Sequence, residues 1–568
     1  MVFKKLNEIK NLITKKHFKY LTAVFLGNQI GGLLEMLSLG IIPVIAIYLF
    51  NKEKLYIFLE EKNLNFFVSF FQSENSLIIS LLVLIFFFLF KNFFLVLMVY
   101  FQRKVGIIIR NYNIHKLYSK YLYGPYRLHI KKNPAKLIGV ISYDVPTACT
   151  IIELIVLILR ETFLIIYIVA LLLFVDPLIF SIILSFFCIF SIIFIFFAKT
   201  FSLKKGSILQ KERLALFQAI NQTFESIKDI KILKKENFFE SNLLKLIRSQ
   251  EKQKLFLSMT NAIPRFILEI ITLIIIFLII FFSKKFGLSE DKIVTTITFL
   301  SFSALRIIPA FRTLNTSINN IIFNLPSLDK ITDEAKEFDE LKNVNYSFRS
   351  NKLKVDDSII KFNNKLKVEN IFYKYDENLD YAIKDISFEI KKGEKVGLIG
   401  SSGSGKTTLI NCVLGLLNLD KGFIKSDGIN ISDNLNSWVK QVGYVPQDIY
   451  LLDDSVKKNI AFGLHDNEIS IDKLNYALET SNCLEFLNTL PNGIDTIIGN
   501  RGIALSGGQR QRIGIARALY FSPNFLILDE ATNALDEKLE KIVLKDIFEK
   551  NQNTTIVLIA HRINSLKI

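Results

Sequence analysis

Six apolar runs of about 20 residues or more, all within the first 323 residues, constrain this chain more than any other feature. They fall at 20–50, 76–101, 146–175, 177–199, 262–282 and 292–323. A helix of about 20 residues rises about 30 Å, the thickness of a membrane's hydrocarbon layer. No water reaches backbone N–H and C=O groups there, so each run has to satisfy its own backbone as an α-helix. Residues 1–323 are therefore expected to form an all-α membrane domain with six spans. The first run carries Gly31, Gly32 and Pro43, which predicts a kink. Lys4 and Lys5 suit the start of a signal peptide, but the sequence then stays polar to Lys19 and no small-residue cleavage site follows a short apolar core. A cleaved leader is not expected.

The connections between the runs differ in charge. Residues 1–19, 101–145 and 199–261 hold 28 Lys and Arg, against 6 in 51–75, 176–177 and 283–292. That asymmetry places the N-terminus and the two long basic loops in the cytoplasm. It also accounts for much of the net charge of +17, so nucleic acid is not expected as a partner. Leu214, Phe217, Gln218 and Asn221 follow helical spacing, and the basic loops are expected to prolong the spans as helices. Residues 51–75 set Phe58, Phe66, Phe67, Phe70 and Phe71 among Glu60, Glu61 and Lys62, which predicts an amphipathic helix at the outer surface. From Asn324 the chain turns polar, so 324–365 reads as a linker. Residues 366–568 alternate short β-type runs (Val396–Ile399, Phe525–Leu528, Thr555–Ile559) with helical stretches, an α/β domain with a largely parallel central sheet. The four cysteines lie far apart, so neither a disulfide framework nor a zinc site is expected.

Gly400-Ser401-Ser402-Gly403-Ser404-Gly405-Lys406-Thr407 is a complete phosphate-binding P-loop between a strand and a helix. Its glycines let backbone N–H groups turn inward, and the helix N-terminus adds partial positive charge. Lys406 suits the β- and γ-phosphates of ATP. Thr407 suits Mg²⁺, with Thr408 continuing the cradle. Phe525–Leu528 is an apolar run that delivers Asp529 toward Mg²⁺, and Glu530 follows as a carboxylate able to polarise a water for attack on the γ-phosphate. Leu505-Ser506-Gly507-Gly508-Gln509 precedes a helix at 510–520.

With that pentapeptide, residues 366–568 resemble the ATP-binding domain of ABC transporters. The resemblance implies that Ser506, Gly507, Gly508 and Gln509 hold ATP bound to a second copy of the chain, so a homodimer is implied. Tyr375 stands where an aromatic ring stacks on adenine. Gln447, in Val445-Pro446-Gln447, corresponds to the residue that contacts Mg²⁺ and water. Ala534-Leu535-Asp536 corresponds to the D-loop, and His561 to the switch histidine at the γ-phosphate. The segment before the signature usually carries an acid; here Asn500 replaces it, which predicts a changed coupling contact. Seven residues follow His561 where the family continues with further strands, so the ATP-binding domain reads as cut short at its C-terminus.

The membrane part resembles exporter-type ABC proteins. It is most similar to the bacterial flippases that move lipid-linked oligosaccharides for protein N-glycosylation, through Leu34-Glu35-Met36, Ile263-Pro264-Arg265-Phe266-Ile267-Leu268-Glu269 and Leu305-Arg306-Ile307-Ile308-Pro309. Counting about 1.5 Å per residue from each span's outer end, Lys91, Arg160, Arg265, Arg306, Glu35, Glu161 and Glu269 all fall about 20–26 Å deep. Such charges are costly in a membrane and need partners or an aqueous cavity. Either they pair as structural salt bridges, or Lys91, Arg265 and Arg306 hold an anionic headgroup such as a diphosphate. The resulting expectation is a homodimeric, multi-pass inner-membrane ABC exporter that flips a polyprenyl-diphosphate-linked oligosaccharide at the expense of ATP. Export of peptides, hydrophobic drugs or other lipids, and an ATP-gated channel or sensor, are the alternatives.

Overall fold

The structure is a computed structural model that describes residues 5–50, 76–175, 177–283, 290–342, 360–376, 378–401, 403–499, 502 and 505–559. The chain divides into two compact units, one from Met1–Leu122 and Lys132–Leu341, the other from Tyr123–Lys131 and Lys342–Ile568.

Six long helices dominate the first unit: α1 (Lys15–Phe50), α2 (Ser76–Leu122), α3 (Val145–Val175), α4 (Pro177–Glu225), α5 (Glu236–Ser283) and α6 (Glu290–Lys342). Each contains one of the expected apolar runs. Among the described residues, four helical stretches are long and apolar enough to cross a membrane: Ile78–Leu122, Pro134–Leu173, Leu184–Glu225 and Glu236–Leu278. α1 is one continuous helix through Gly31, Gly32 and Pro43. The basic loops are helical as expected: α2 runs on to Leu122, α4 to Glu225, and α5 starts at Glu236. The amphipathic helix expected at 51–75 lies outside the described residues.

One boundary needs correcting. The stretch from Asn324, expected to begin a linker, continues α6 to Lys342. Leu325, Leu328, Ile331 and Phe338 are buried along it at helical spacing, so a polar average concealed an amphipathic helix. Packing in this unit is tight. Phe187 and Phe311 stack at 5.1 Å within a cluster that includes Leu164, Ile168 and Leu268. A Cβ on Gly206 would collide with the Phe323 carbonyl oxygen, so α4 meets α6 at a distance only glycine permits.

Among the described residues, the second unit holds two four-stranded sheets. Strands β1 (Lys365–Tyr373), β2 (Ile383–Lys391), β3 (Lys395–Leu398), β4 (Lys421–Ser426), β5 (Ile429–Asn430), β6 (Val442–Val445), β7 (Phe525–Asp529) and β8 (Thr555–Ile559) order as β2-β1-β4-β5 and β3-β8-β7-β6. The second sheet is parallel throughout, as expected; the first is antiparallel, which the sequence reading did not separate. β7 and β8 are buried at every position, and apart from Asp529 and Thr555 at their ends they read as continuous apolar runs, as strands covered on both faces do. The same unit contains helices α7 (Lys406–Val413), α8 (Gly507–Tyr520) and α9 (Glu537–Lys550). Trp438 is fully buried and donates its indole N–H to the Val413 carbonyl at 2.8 Å. This unit also contains the short helix Tyr126–Lys131, with Arg127 Nη2 donating to the Tyr375 carbonyl at 2.6 Å and Lys131 Nζ 2.8 Å from Asp376 Oδ2.

Candidate functional site: a nucleotide cleft and an intramembrane charge layer

Parallel strands deliver their C-terminal ends to one edge of a sheet, and ligands bind outside that edge. The order β3-β8-β7-β6 sets the P-loop after β3, Asp529 and Glu530 at the end of β7, and Gln447 after β6 along a single edge. His561, expected past the end of β8, lies outside the described residues, as do Ser402 and Asn500.

Gly405 caps α7 with a left-handed backbone, φ 90°, and a Cβ there would sit 2.7 Å from the Ala382 carbonyl. Lys406 Nζ donates to the carbonyls of Gly400 and Ser401 at 2.8 and 2.9 Å, so it reaches back across the loop made by Gly403 and Ser404. Thr407 lies in the first turn of α7. Its neighbour Thr408 exchanges a 3.0 Å hydrogen bond with the hydroxyl of Tyr375, which joins the expected adenine-facing ring to the phosphate-side helix.

Asp529 Oδ2 accepts from the Tyr444 hydroxyl at 3.2 Å. Burial pushes the Asp529 carboxyl above its ordinary range, opposed by that hydrogen bond. Glu530 has a left-handed backbone, φ 51°, a conformation that costs a non-glycine residue about 1–3 kcal/mol and clusters at working sites. Its Oε2 accepts from Gln447 Nε2 at 3.0 Å and from Asn533 Nδ2 at 2.8 Å. The sequence reading missed Tyr444 and Asn533. Asn533 stands three residues after Glu530, a turn spacing that could have revealed it.

Ser506 is the N-cap of α8. Its Oγ accepts from Gln509 N–H at 3.2 Å, and Gln509 Oε1 accepts from Ser506 N–H at 2.8 Å, a reciprocal capping box. Asp536 caps α9 by accepting from Leu539 N–H at 2.9 Å, so its carboxylate serves a helix end here.

Residues 30–308 match the model of the ABC transporter transmembrane region, and residues 383–533 match that of the ABC transporter. The chain belongs to the ABC transporters. Its membrane and ATPase regions are fused in one polypeptide. A solved bacterial Atm1-family ABC exporter with ATP bound has the same fold, with a TM-score of 0.76 at 18% identity, covering 98% of this chain and 92% of that one. The ATP-dependent lipid A-core flippase of Methylococcus capsulatus is 43% identical over 194 residues, 34% of this chain and 32% of that protein. That of Pasteurella multocida is 39% identical over 203 residues, 36% and 35%. The match thus spans about a third of these curated relatives' length. The family expected from the sequence holds, while these relatives are lipid A-core flippases, not the N-glycosylation flippases to which the sequence reading gave first place.

Within this ABC transporter's membrane unit the charge layer sorts itself. Arg306 pairs with Glu35, its Nε donating to Oε2 at 3.0 Å. Arg265 pairs with Glu269 one turn away at 2.8 Å, and Arg160 with its neighbour Glu161. Of the two readings the sequence allows, salt-bridge pairing describes Arg160, Arg265 and Arg306 in this structure. Lys91 is different. It is 8% exposed, Nζ donates to Ser38 Oγ at 3.3 Å and lies 4.2 Å from the centre of the Phe88 ring, and among the described residues it has no ion pair.

Proposed function

We propose that two copies of this chain form an ATP-driven flippase for a lipid with an anionic headgroup, of the polyprenyl-diphosphate-linked oligosaccharide class, in a bacterial inner membrane with both ATPase regions cytoplasmic. The observation that carries the substrate class is Lys91. A buried cation among membrane helices with a hydroxyl and an aromatic ring for company leaves a charge for a ligand to neutralise. Relatives described as lipid A-core flippases support a lipid as cargo. A peptide or drug exporter would fit an uncharged aromatic cavity better, and Lys91 speaks against it.

Each part of the cleft has a task in hydrolysis. Lys406 swings from its loop carbonyls to the β- and γ-phosphates, and the α7 N-terminus binds the same anion. Thr407, Asp529 and Gln447 offer oxygen donors, a set suited to Mg²⁺, which when bound neutralises phosphate charge. Tyr375 supplies the adenine platform. Glu530 takes a proton from the attacking water, with Gln447 and Asn533 fixing the carboxylate, and His561 has the γ-phosphate role that the family resemblance assigns to it. Ser506, Gly507 and Gly508 grip the nucleotide of the partner copy, and closure of the pair drives the membrane helices. The test is ATPase activity in proteoliposomes with a polyprenyl-diphosphate sugar, its uncharged polyprenol, and a panel of hydrophobic drugs. Stimulation by the diphosphate alone, lost in Lys91→Gln, is expected. Stimulation by drugs and not by the diphosphate would overturn the reading.

A further inference from the structure

The signature end of α8 and the turn that carries Glu530 are packed as one block. A Cβ on Gly507 would lie 3.3 Å from the Ala534 Cβ, and one on Gly508 would lie 3.1 Å from Leu535 Cδ2 and 3.2 Å from the Ala534 carbonyl. One turn further along α8 is Gln511, which is buried. Its Oε1 accepts from the Ala534 N–H at 2.8 Å, and its Nε2 faces the Glu530 carbonyl at 3.5 Å. The turn between these two points is stiff. Asn533 N–H donates to the Glu530 carbonyl at 3.2 Å, Leu535 N–H to the Thr532 carbonyl at 3.0 Å, and Thr532 Oγ1 to the buried Glu540 at 2.7 Å. A glutamine side chain accepts and donates at once, and here it does so across the two ends of residues 530–534.

We infer that Gln511 is a positioning residue that links the two ATP sites of the dimer through one subunit. The inference rests on the reading above, in which the signature grips ATP held by the partner. An α-helix moves as a rod over so short a distance. When Ser506 is drawn onto the partner's nucleotide, Gln511, five residues along, carries the Ala534 amide and the Glu530 carbonyl with it. Glu530 sits in a left-handed backbone conformation, so a small shift of its carbonyl re-aims a carboxylate that Gln447 and Asn533 help to hold. Occupation of one site thereby sets the base of the other, and Gln511 acts through Glu530 without touching nucleotide.

The relay predicts an effect in cis, whereas simple support of the signature predicts one in trans, because each subunit's signature serves the partner's ATP. Covalently linked tandem dimers of the full chain separate the two. One half carries Glu530→Gln, so a single base remains. With Gln511→Met in the half that keeps Glu530, ATP turnover is expected to fall about tenfold at unchanged KM. With Gln511→Met in the half that carries Glu530→Gln, turnover stays within about twofold of the control. Gln511→Glu, which keeps the acceptor for Ala534, is expected to recover part of the cis loss. A loss in trans, equal losses in both arrangements, or losses that follow melting temperature rather than arrangement would overturn the inference. Ser506→Arg in the same linked dimers checks the underlying reading: it must stop hydrolysis by the Glu530 of the other half. If it stops its own half instead, the trans signature fails, and that failure is visible apart from any result at Gln511.

Discussion

Replacing Arg306 and Lys91 separately by Gln distinguishes a charge that holds the membrane unit together from one that waits for cargo. Arg306→Gln leaves Glu35, whose side chain is 5% exposed, without its cation. Orphaning one member of a buried pair costs about 3–5 kcal/mol; because the Arg306 side chain is 43% exposed, we take the lower end, about 3 kcal/mol. At roughly 2 °C per kcal/mol for a large unit, the midpoint should fall by about 5 °C or more. Glu35→Gln in addition should restore most of that loss. Lys91→Gln gives up one hydrogen bond and a contact with a ring, but relieves a buried charge, so its net effect should lie within about 1 kcal/mol of zero. The assay is the temperature at which half the purified protein is lost from its size-exclusion peak, measured beside lipid-stimulated ATPase activity. Lys91→Gln should melt like the wild type and lose stimulation. If Lys91→Gln melts as low as Arg306→Gln, or if removing Glu35 fails to rescue Arg306→Gln, the division between structural pair and cargo charge is wrong.

Two further outcomes follow from the geometry. Glu530→Gln should bind ATP with ordinary affinity and lose hydrolysis by about 10²–10⁴-fold, accumulating as a closed, ATP-bound dimer detectable by nucleotide retained through size-exclusion chromatography; hydrolysis within a few-fold of the wild type would mean another group is the base. Gly206→Ala should lower thermal stability by at least about 1–3 kcal/mol, because the added methyl meets a backbone carbonyl that cannot rotate away, and an unchanged melting temperature would show that α4 and α6 part easily.

What the sequence disclosed depended on how local the signal was. The long helices were legible because apolar residues fill about 20 consecutive positions, and the P-loop because all its parts lie within eight residues. Arg265 and Glu269 were readable as a pair from their spacing of four. Arg306 and Glu35 were not, since 271 residues separate them and only the packing of α1 and α6 brings them together. The antiparallel sheet went unseparated for a related reason. β1 pairs with β4 across about 50 residues and shows a mixed burial pattern, whereas β7 and β8 are buried throughout and announce themselves by composition. Tyr444 and Gln511 carry no motif of their own. Their importance lies in reaching Asp529 and Ala534 from other elements.

The assignment of Tyr123–Lys131 to the second unit has a consequence for biosynthesis. Arg127 and the residue whose carbonyl it holds, Tyr375, are 248 positions apart. At about 5–20 residues per second, the ribosome needs roughly 12–50 s to make that interval. Throughout it the helix Tyr126–Lys131 has emerged without the strands it belongs with, while the segments that follow it are being inserted into the bilayer. The ATPase unit is thus a late assembly around an early fragment, completed only after the membrane helices have been synthesised. A nascent chain released before Tyr375 carries the helix Tyr126–Lys131 without the residues that hold it, and the cell's quality control would meet it as unfinished.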